Sequence, residues 1–229
     1  MKIIVINGSS RINGATGQIL TKIGETLAEI DVNIKINRVD LAKLDLNFCS
    51  GCASCYSTGI CPIKEDGIEE LSREIHTSDG VIFGSPTFAS NVSGRFKVLI
   101  DRGHFIFEQL LRNKACFSVV TYENYGGRQA LKIINDLIRF SGGAVSCKLP
   151  VKLNNGDDAL NDDRNAQIEK LCKKYLHDVK QKNPLSLFER LLRIVVFHVG
   201  IKRHVFRNES RYKGVVNIWT KQGLIDERK

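Results

Sequence analysis

The chain has 229 residues, enough for one large domain or one ordinary domain with an appendage, and its 42% hydrophobic and 26% charged residues exclude a disordered chain. Seven cysteines would suit a disulfide framework, but four of them fall within thirteen residues, and the chain opens on a short strand-like run in place of a secretory leader, so a cytoplasmic protein with reduced thiols is expected. The formal net charge is +9, and residues 180–229 hold twelve Lys or Arg against four Asp or Glu, so the basic character belongs to the tail.

In chain order, apolar β-branched runs at "KIIVI", "VNIKINRV", "GVIFGSP", "ACFSVVTY" and "AVSCKLPVKL" alternate with helical periodicity over residues 14–30, 65–77, 92–112, 127–141 and 158–181. Near-continuous apolar strands alternating with helices predict a parallel sheet covered on both faces. Five strands fit a flavodoxin-like, doubly wound α/β sheet in the order 2-1-3-4-5, whose ligand crevice lies at the carboxyl ends of strands 1 and 3. A six-stranded Rossmann-type sheet is the alternative.

After "QKNPLSL" the pattern changes, and Asn183 followed by Pro184 reads as a helix start. "LSLFERLLRIVVFHVG" reads as one amphipathic helix ending at Gly200, too short and too centrally charged, at Arg190 and Arg193, to span a bilayer. Residues 1–182 are therefore expected as one domain carrying a Cys-rich loop at 48–64, and residues 183–229 as a basic helical extension. "YKGVVNIWTKQGLID" supports no assignment.

The first strand empties into "NGSSRINGATGQIL". The first amides of a helix lack intrahelical acceptors and the helix dipole adds positive potential, so a strand-to-helix turn favours an anion. Gly8 and Gly14 let the backbone approach closely; Ser9, Ser10, Asn13 and Thr16 offer donors, and Arg11 a charge. The stretch matches neither dinucleotide nor P-loop fingerprints, which leaves a monophosphate or a plain solvated turn. After the third strand, "GSPTFASNVSGRFKVLIDR" supplies Pro86, the hydrogen-bonding Thr87, Ser90 and Asn91, and the aromatic face of Phe88. That mixture suits a flat heteroaromatic ring.

Together "GSSRINGAT" and "GSPTFASNVSGRFKVLIDR" resemble the phosphate and ring loops of NADPH-dependent FMN reductases, a flavodoxin-like family, over residues 1–180. The resemblance implies that Ser9, Arg11, Asn13, Gly14 and Thr16 contact the FMN phosphate, and Pro86, Thr87, Phe88, Ala89, Ser90 and Asn91 the ring. "TYENYGGRQA" would form a third wall through Tyr122, Glu123, Tyr125 and Gly126. Lys97, Asp101 and Arg102 read as helix and interface residues, outside the catalytic set. The implied activity is an FMN-dependent oxidoreductase taking electrons from NAD(P)H or a ferredoxin and passing them to a quinone-type or flavin acceptor. A flavodoxin-like electron carrier without its own turnover is the alternative.

"FCSGCASCYSTGICPIKEDG" sets Cys49, Cys52, Cys55 and Cys61 in a C-x2-C-x2-C-x5-C-P array, near the spacing that wraps a cubane. It resembles the compact motif of the iron-sulfur flavoproteins, which implies a [4Fe-4S] cluster; a structural zinc and uncomplexed thiols remain open. Cys116, Cys147 and Cys172 fall on predicted strands and a helix and read as inert core. His76, His104, His177, His198 and His204 share no ligand spacing. In the tail, an apolar stripe through Phe188, Leu191, Leu192, Val195 and Val199 calls for a partner surface, and a homodimer or homotetramer is expected. Lying on an anionic membrane, or capping its own domain beneath a basic face for an acidic redox partner, are the other readings. Nothing suggests nucleic acid.

Overall fold

A computed structural model of the chain describes residues 1–154, 156–181 and 187–226. Five parallel strands form the sheet: β1 (Lys2–Asn7), β2 (Lys35–Asp40), β3 (Gly80–Phe88), β5 (Ala115–Tyr122) and β6 (Ala144–Lys152), in the order β2-β1-β3-β5-β6. A two-residue strand, β4 (Asn91–Val92), folds back antiparallel on the end of β3. With β4 set aside, this is the 2-1-3-4-5 order of a flavodoxin-like sheet.

The β1 run is apolar throughout because both of its faces are covered. Ile3 and Val5 face α1 (Ala15–Ile30) and α6 (Asp162–Lys180), in a core with Ile19, Ile23, Phe117 and Tyr175. Ile4 and Ile6 face the opposite core, built by α3 (Ile68–Thr77), α4 (Gly94–Arg102) and α5 (Gly127–Phe140) with Phe83, Phe96 and Ile134. Ile4 lies between Asn37 of β2 and Val81 of β3, so this register carries the two adjacent strand ends to the same edge.

The helix expected over 92–112 is shorter. It stops at Arg102, since Gly103 caps it and His104 then turns into the left-handed region at φ 51°. Phe105, Leu110 and Leu111 are buried from an irregular segment, so their apolar spacing mimics a helix without forming one. α6 starts at Asp162 because the Asn161 side chain accepts from the Arg164 amide at 2.9 Å.

The tail differs more. Its domain boundary at 182/183 and the Asn183–Pro184 start lie outside the described residues. α7 (Leu187–Ile194) does not end at Gly200; it runs on through a π-helical segment (Val195–Lys202) into α8 (Arg203–Arg207). The stretch that resisted assignment contains α9 (Lys213–Lys221). Phe197, Val205, Tyr212, Val215 and Trp219 form a third core, closed by Tyr56 from the Cys-rich loop and by Phe107. Tyr56 lies 4.8 Å from the Phe107 ring and 5.1 Å from that of Tyr212, and the Trp219 indole N–H donates to the Phe107 carbonyl. The tail thus caps its own domain over α2 (Ser54–Thr58), the one helical turn of the cysteine loop. No helix among the described residues is long and apolar enough to cross a membrane.

At the closest point α9 meets that loop backbone to backbone: a Cβ on Gly214 would sit 2.0 Å from the Gly59 amide nitrogen. Gly214→Ala is expected to weaken the contact by about 1–3 kcal/mol, as overpacking does. Trp219 is the only tryptophan, so its emission in a denaturant titration reports tail release directly. An unshifted midpoint would contradict this packing.

Candidate functional site

At the carboxyl end of β1 the chain is held by a short network. Asn7 Nδ2 donates to Asp40 Oδ1 at 2.8 Å, and its Oδ1 accepts from the Ser9 amide at 3.1 Å. The Ser9 hydroxyl donates to the Arg11 carbonyl at 3.0 Å and accepts from the Arg11 amide at 3.1 Å, which curls the loop. Arg38, from β2, pairs with Asp40 at 2.9 Å and donates to the carbonyls of Ile12 at 3.1 Å and Gly17 at 3.3 Å, pinning both sides of the turn. Gly17 is required there, because a Cβ would lie 1.8 Å from the Ile12 carbonyl oxygen.

α1 then starts after Gly14 with no side-chain cap and no acidic residue in its first turn. Its leading amides are left for an outside acceptor. Ser9, Ser10, Arg11, Gly14 and Thr16 line one pocket with Pro86 and Phe88 from the end of β3 and with Thr121 from β5. The Thr16 and Thr121 hydroxyls meet at 2.7 Å across its floor. Asn13 is exposed and outside that lining; its carbonyl accepts from Gln18 Nε2 at 3.0 Å.

The second loop is a two-residue hairpin between β3 and β4. Ala89 (φ 47°) and Ser90 (φ 63°) both sit in the left-handed region, as the tight turn between paired strands demands, although neither is a glycine. Strain of this kind costs on the order of 1–3 kcal/mol per residue and persists where the surroundings impose it. Gly126 (φ 87°) packs directly against this turn, with room for no Cβ: one would lie 2.6 Å from Ser90 Cα. Phe88 is 60% exposed, an uncovered aromatic face. Thr87 Oγ1 is buried without a hydrogen-bond partner. Asn91 is exposed, its Oδ1 occupied by the Val92 amide at 2.8 Å. In the third wall, Tyr122 packs on Gly127, and Glu123 and Tyr125 point to solvent. Asn7, Arg38, Asp40 and Thr121 are members of the site that motif reading misses. Asn7, a polar residue ending an apolar strand, is the one visible signal.

The four loop cysteines are free thiols, Cys49 and Cys52 exposed, Cys55 and Cys61 half-buried. Gly51, Ala53 and Gly59 take left-handed conformations that curl the loop. Burial, then the neighbouring Cys61, Cys49 and Cys52, push the Cys55 thiol up from its ordinary range. Among the described residues no three metal-ligating side chains are gathered tightly enough to hold an ion. Four cysteine thiols are nonetheless a donor set of the kind that could ligate iron.

A flavodoxin-like sheet with an uncapped strand-to-helix turn facing an aromatic hairpin defines the class: a doubly wound α/β protein with a crevice at the ends of β1 and β3. Residues 1–148 match the NADPH-dependent FMN reductase family, and the chain belongs to it. It is 36% identical to an iron-sulfur flavoprotein of Clostridioides difficile over 98% of this chain and all of that protein. An iron-sulfur flavoprotein of Methanocaldococcus jannaschii is 31% identical over 76% of this chain and its own full length. Among solved structures, RosB with bound 8-demethyl-8-formylriboflavin-5'-phosphate superposes with TM-score 0.65 at 12% identity, over 86% of this chain and 87% of that one. An NADH:FMN oxidoreductase superposes with TM-score 0.58 at 17% identity, over 81% and 90%.

The thiols should sort by environment. A backbone hydrogen bond from Ser54 and the Ser50 hydroxyl lower the Cys52 thiol, whereas burial raises Cys147, raises Cys116 further and lifts Cys172 to about 12. Metal-free native protein treated with iodoacetamide is expected to lose Cys52 first, and Cys116, Cys147 and Cys172 only on unfolding. Early labelling of the core thiols, read by peptide mass mapping, would overturn the assignment.

Proposed function

We propose that the chain, an oxidoreductase of the FMN reductase family, binds FMN in the crevice between the first loop and the hairpin. The observation that carries this is the uncapped start of α1 sharing one pocket with Pro86 and Phe88. The phosphate would rest on the leading amides of α1 with Ser9, Arg11, Gly14 and Thr16, and Asn13 at the rim. The ring would lie against Pro86, Thr87 and Phe88, with Ala89, Ser90 and Asn91 turning over one edge and Tyr122, Glu123 and Gly126 beside the other. The partnerless Thr87 hydroxyl fits a polar ring edge. FMN supplies hydride acceptance from a reduced nicotinamide and onward transfer of one or two electrons. The protein orients the ring and excludes water.

Cys49, Cys52, Cys55 and Cys61 would hold a [4Fe-4S] cluster, supported by their spacing and by the iron-sulfur flavoproteins among the relatives. Such a cluster admits a ferredoxin as electron donor and belongs in a reducing, cytoplasmic compartment. A pure carrier is disfavoured by the basic surface of the tail. Phosphate recognition predicts that the metal-free protein binds FMN at least 100-fold more tightly than riboflavin, and that Ser9→Ala with Thr16→Val narrows the difference without abolishing it, because the leading amides of α1 remain. Flavin fluorescence quenching measures both. Sustained NAD(P)H oxidation with excess FMN or a quinone is expected of an enzyme, and a carrier would show almost none.

We also propose that the chain self-associates through the tail. Leu191, Ile194, Val195 and Val199 are 52–57% exposed along one helical stripe, while the side chains of Phe188 and Leu192 lie outside the described residues. Leu191→Glu with Val195→Glu is expected to convert a dimer or tetramer to monomer in sedimentation. A monomeric parent would refute the proposal.

A further inference from the structure

Arg102 stands at the last position of α4, yet its guanidinium serves the cysteine loop. Its side chain is 2% exposed and pairs with Asp66, 3% exposed. Nη1 donates to the Asn47 carbonyl at 2.8 Å and Nη2 to the Ile63 carbonyl at 3.1 Å. Asp66 in turn accepts from the Asn47 amide at 3.3 Å and the Ile68 amide at 3.4 Å. One ion pair therefore closes the segment just before Cys49 onto the segment just after Cys61. Arg102 Nε is buried with no hydrogen-bond partner.

Arg102 and Cys61 line the same cavity, of about 250 Å³, between the cysteine loop, α3 and Ile218 of the tail. Burial opposes the guanidinium charge, but Asp66 and then Cys61 more than offset it and hold Arg102 above its ordinary range. The other end of α4 is fixed at the crevice. The Ser93 hydroxyl donates to the Gly8 carbonyl, and the Ser93 amide donates to Ser85 Oγ at 2.9 Å. Nine helical residues at 1.5 Å each make this a strut of about 13 Å. A buried ion pair is often no more stable than an apolar pair of the same volume, so the use of this one lies in what it positions.

We propose that Arg102 is the positioning residue of the cysteine loop: it pins both ends of the Cys49–Cys61 segment to the helix that begins at the flavin crevice and sets a positive charge beside Cys61. The second half rests on the iron-sulfur reading above; the pinning does not. An electron added to a thiolate-bound cluster makes it more negative, so a fixed cation stabilises the reduced form more than the oxidised form and raises the potential.

Two readouts test this. With wild-type, Arg102→Gln and Arg102→Lys proteins reconstituted anaerobically with iron and sulfide, a dye-mediated dithionite titration followed by electron paramagnetic resonance gives the cluster potential. Arg102→Gln is expected to shift the oxidised-to-reduced ratio about tenfold toward oxidised at a given potential, which is 59 mV for a one-electron couple. Arg102→Lys, which keeps the charge, is expected to restore most of it. In the metal-free proteins, chymotrypsin cleavage after Tyr56, held in the third core, is expected to quicken at least tenfold in both variants because the guanidinium fork is lost. Should Arg102→Gln fail to fold, Asp66→Asn with Arg102→Gln removes the stranded buried charge and is expected to quicken cleavage likewise, with a smaller fall in potential because the anion goes with the cation. An unchanged potential or unchanged cleavage overturns the proposal. A wild-type chain that takes up no cluster sinks the iron-sulfur reading instead, and the cleavage comparison then upholds or overturns the pinning by itself.

Discussion

The architecture of the site depends on one junction, where the Gly8 amide donates to the Gly84 carbonyl at 2.8 Å as the chain leaves β1. A Cβ on Gly8 would stand 2.8 Å from the Phe96 ring and 3.0 Å from the Gly84 oxygen, so the approach requires glycine. The same Gly8 turns its carbonyl to the Ser93 hydroxyl, which also caps α4 by accepting from the Phe96 amide at 3.1 Å. The first loop, the hairpin and α4 are thereby referred to a single point. A parallel sheet supplies this geometry at its topological switch, where the chain leaves β1 and β3 on opposite sides of the sheet.

Around that junction, the two loops are fixed by opposite means. The anion loop is unstrained and satisfied internally: Asn7, Ser9, Arg38 and Asp40 tie up one another and the loop backbone, while the first amides of α1 stay open. The hairpin instead carries two non-glycine residues in the left-handed region, braced by Gly126 from a third element. Rigid donors around a fixed charge, and a strained turn held from behind, are what precise placement of a large planar ligand calls for. The local cost is sustained by the two cores, in which Ile4, Ile6, Phe83, Ile3, Val5 and Phe117 are almost fully buried.

How much of this was legible in the sequence follows from the range of the interactions. The sheet order was readable because the central strands β1, β3 and β5 are apolar on both faces and each crossover contains a periodic helix. Ser9, Arg11, Gly14, Thr16, Pro86 and Phe88 were readable because loop chemistry is local, and they do share one pocket. Arg38 was not, since its role is to hold carbonyls 21 and 26 residues away in the chain. Nor was α9: Gly214, Trp219 and Tyr212 make sense only against Gly59, Phe107 and Tyr56, contacts that leave no periodic trace of their own. The segment after Gly103 misled for the converse reason, as its buried Phe105, Leu110 and Leu111 imitate a helical stripe.

The cysteine loop shows the same dependence in its strongest form. α2 has no buried residue of its own, and its five residues are far below the length at which a helix sustains itself. Its order is borrowed from three directions: Arg102 and Asp66 beneath, Phe107 at the side, and α9 with Tyr212 above. A segment whose own contacts are too few to fold will follow whatever its supports do. The tail is for that reason part of the same structural unit as the loop. The basic residues Arg203, Arg207, Arg211 and Lys213 stand exposed on its outer side. Their charges set a positive field over the surface of the tail that caps the cysteine loop.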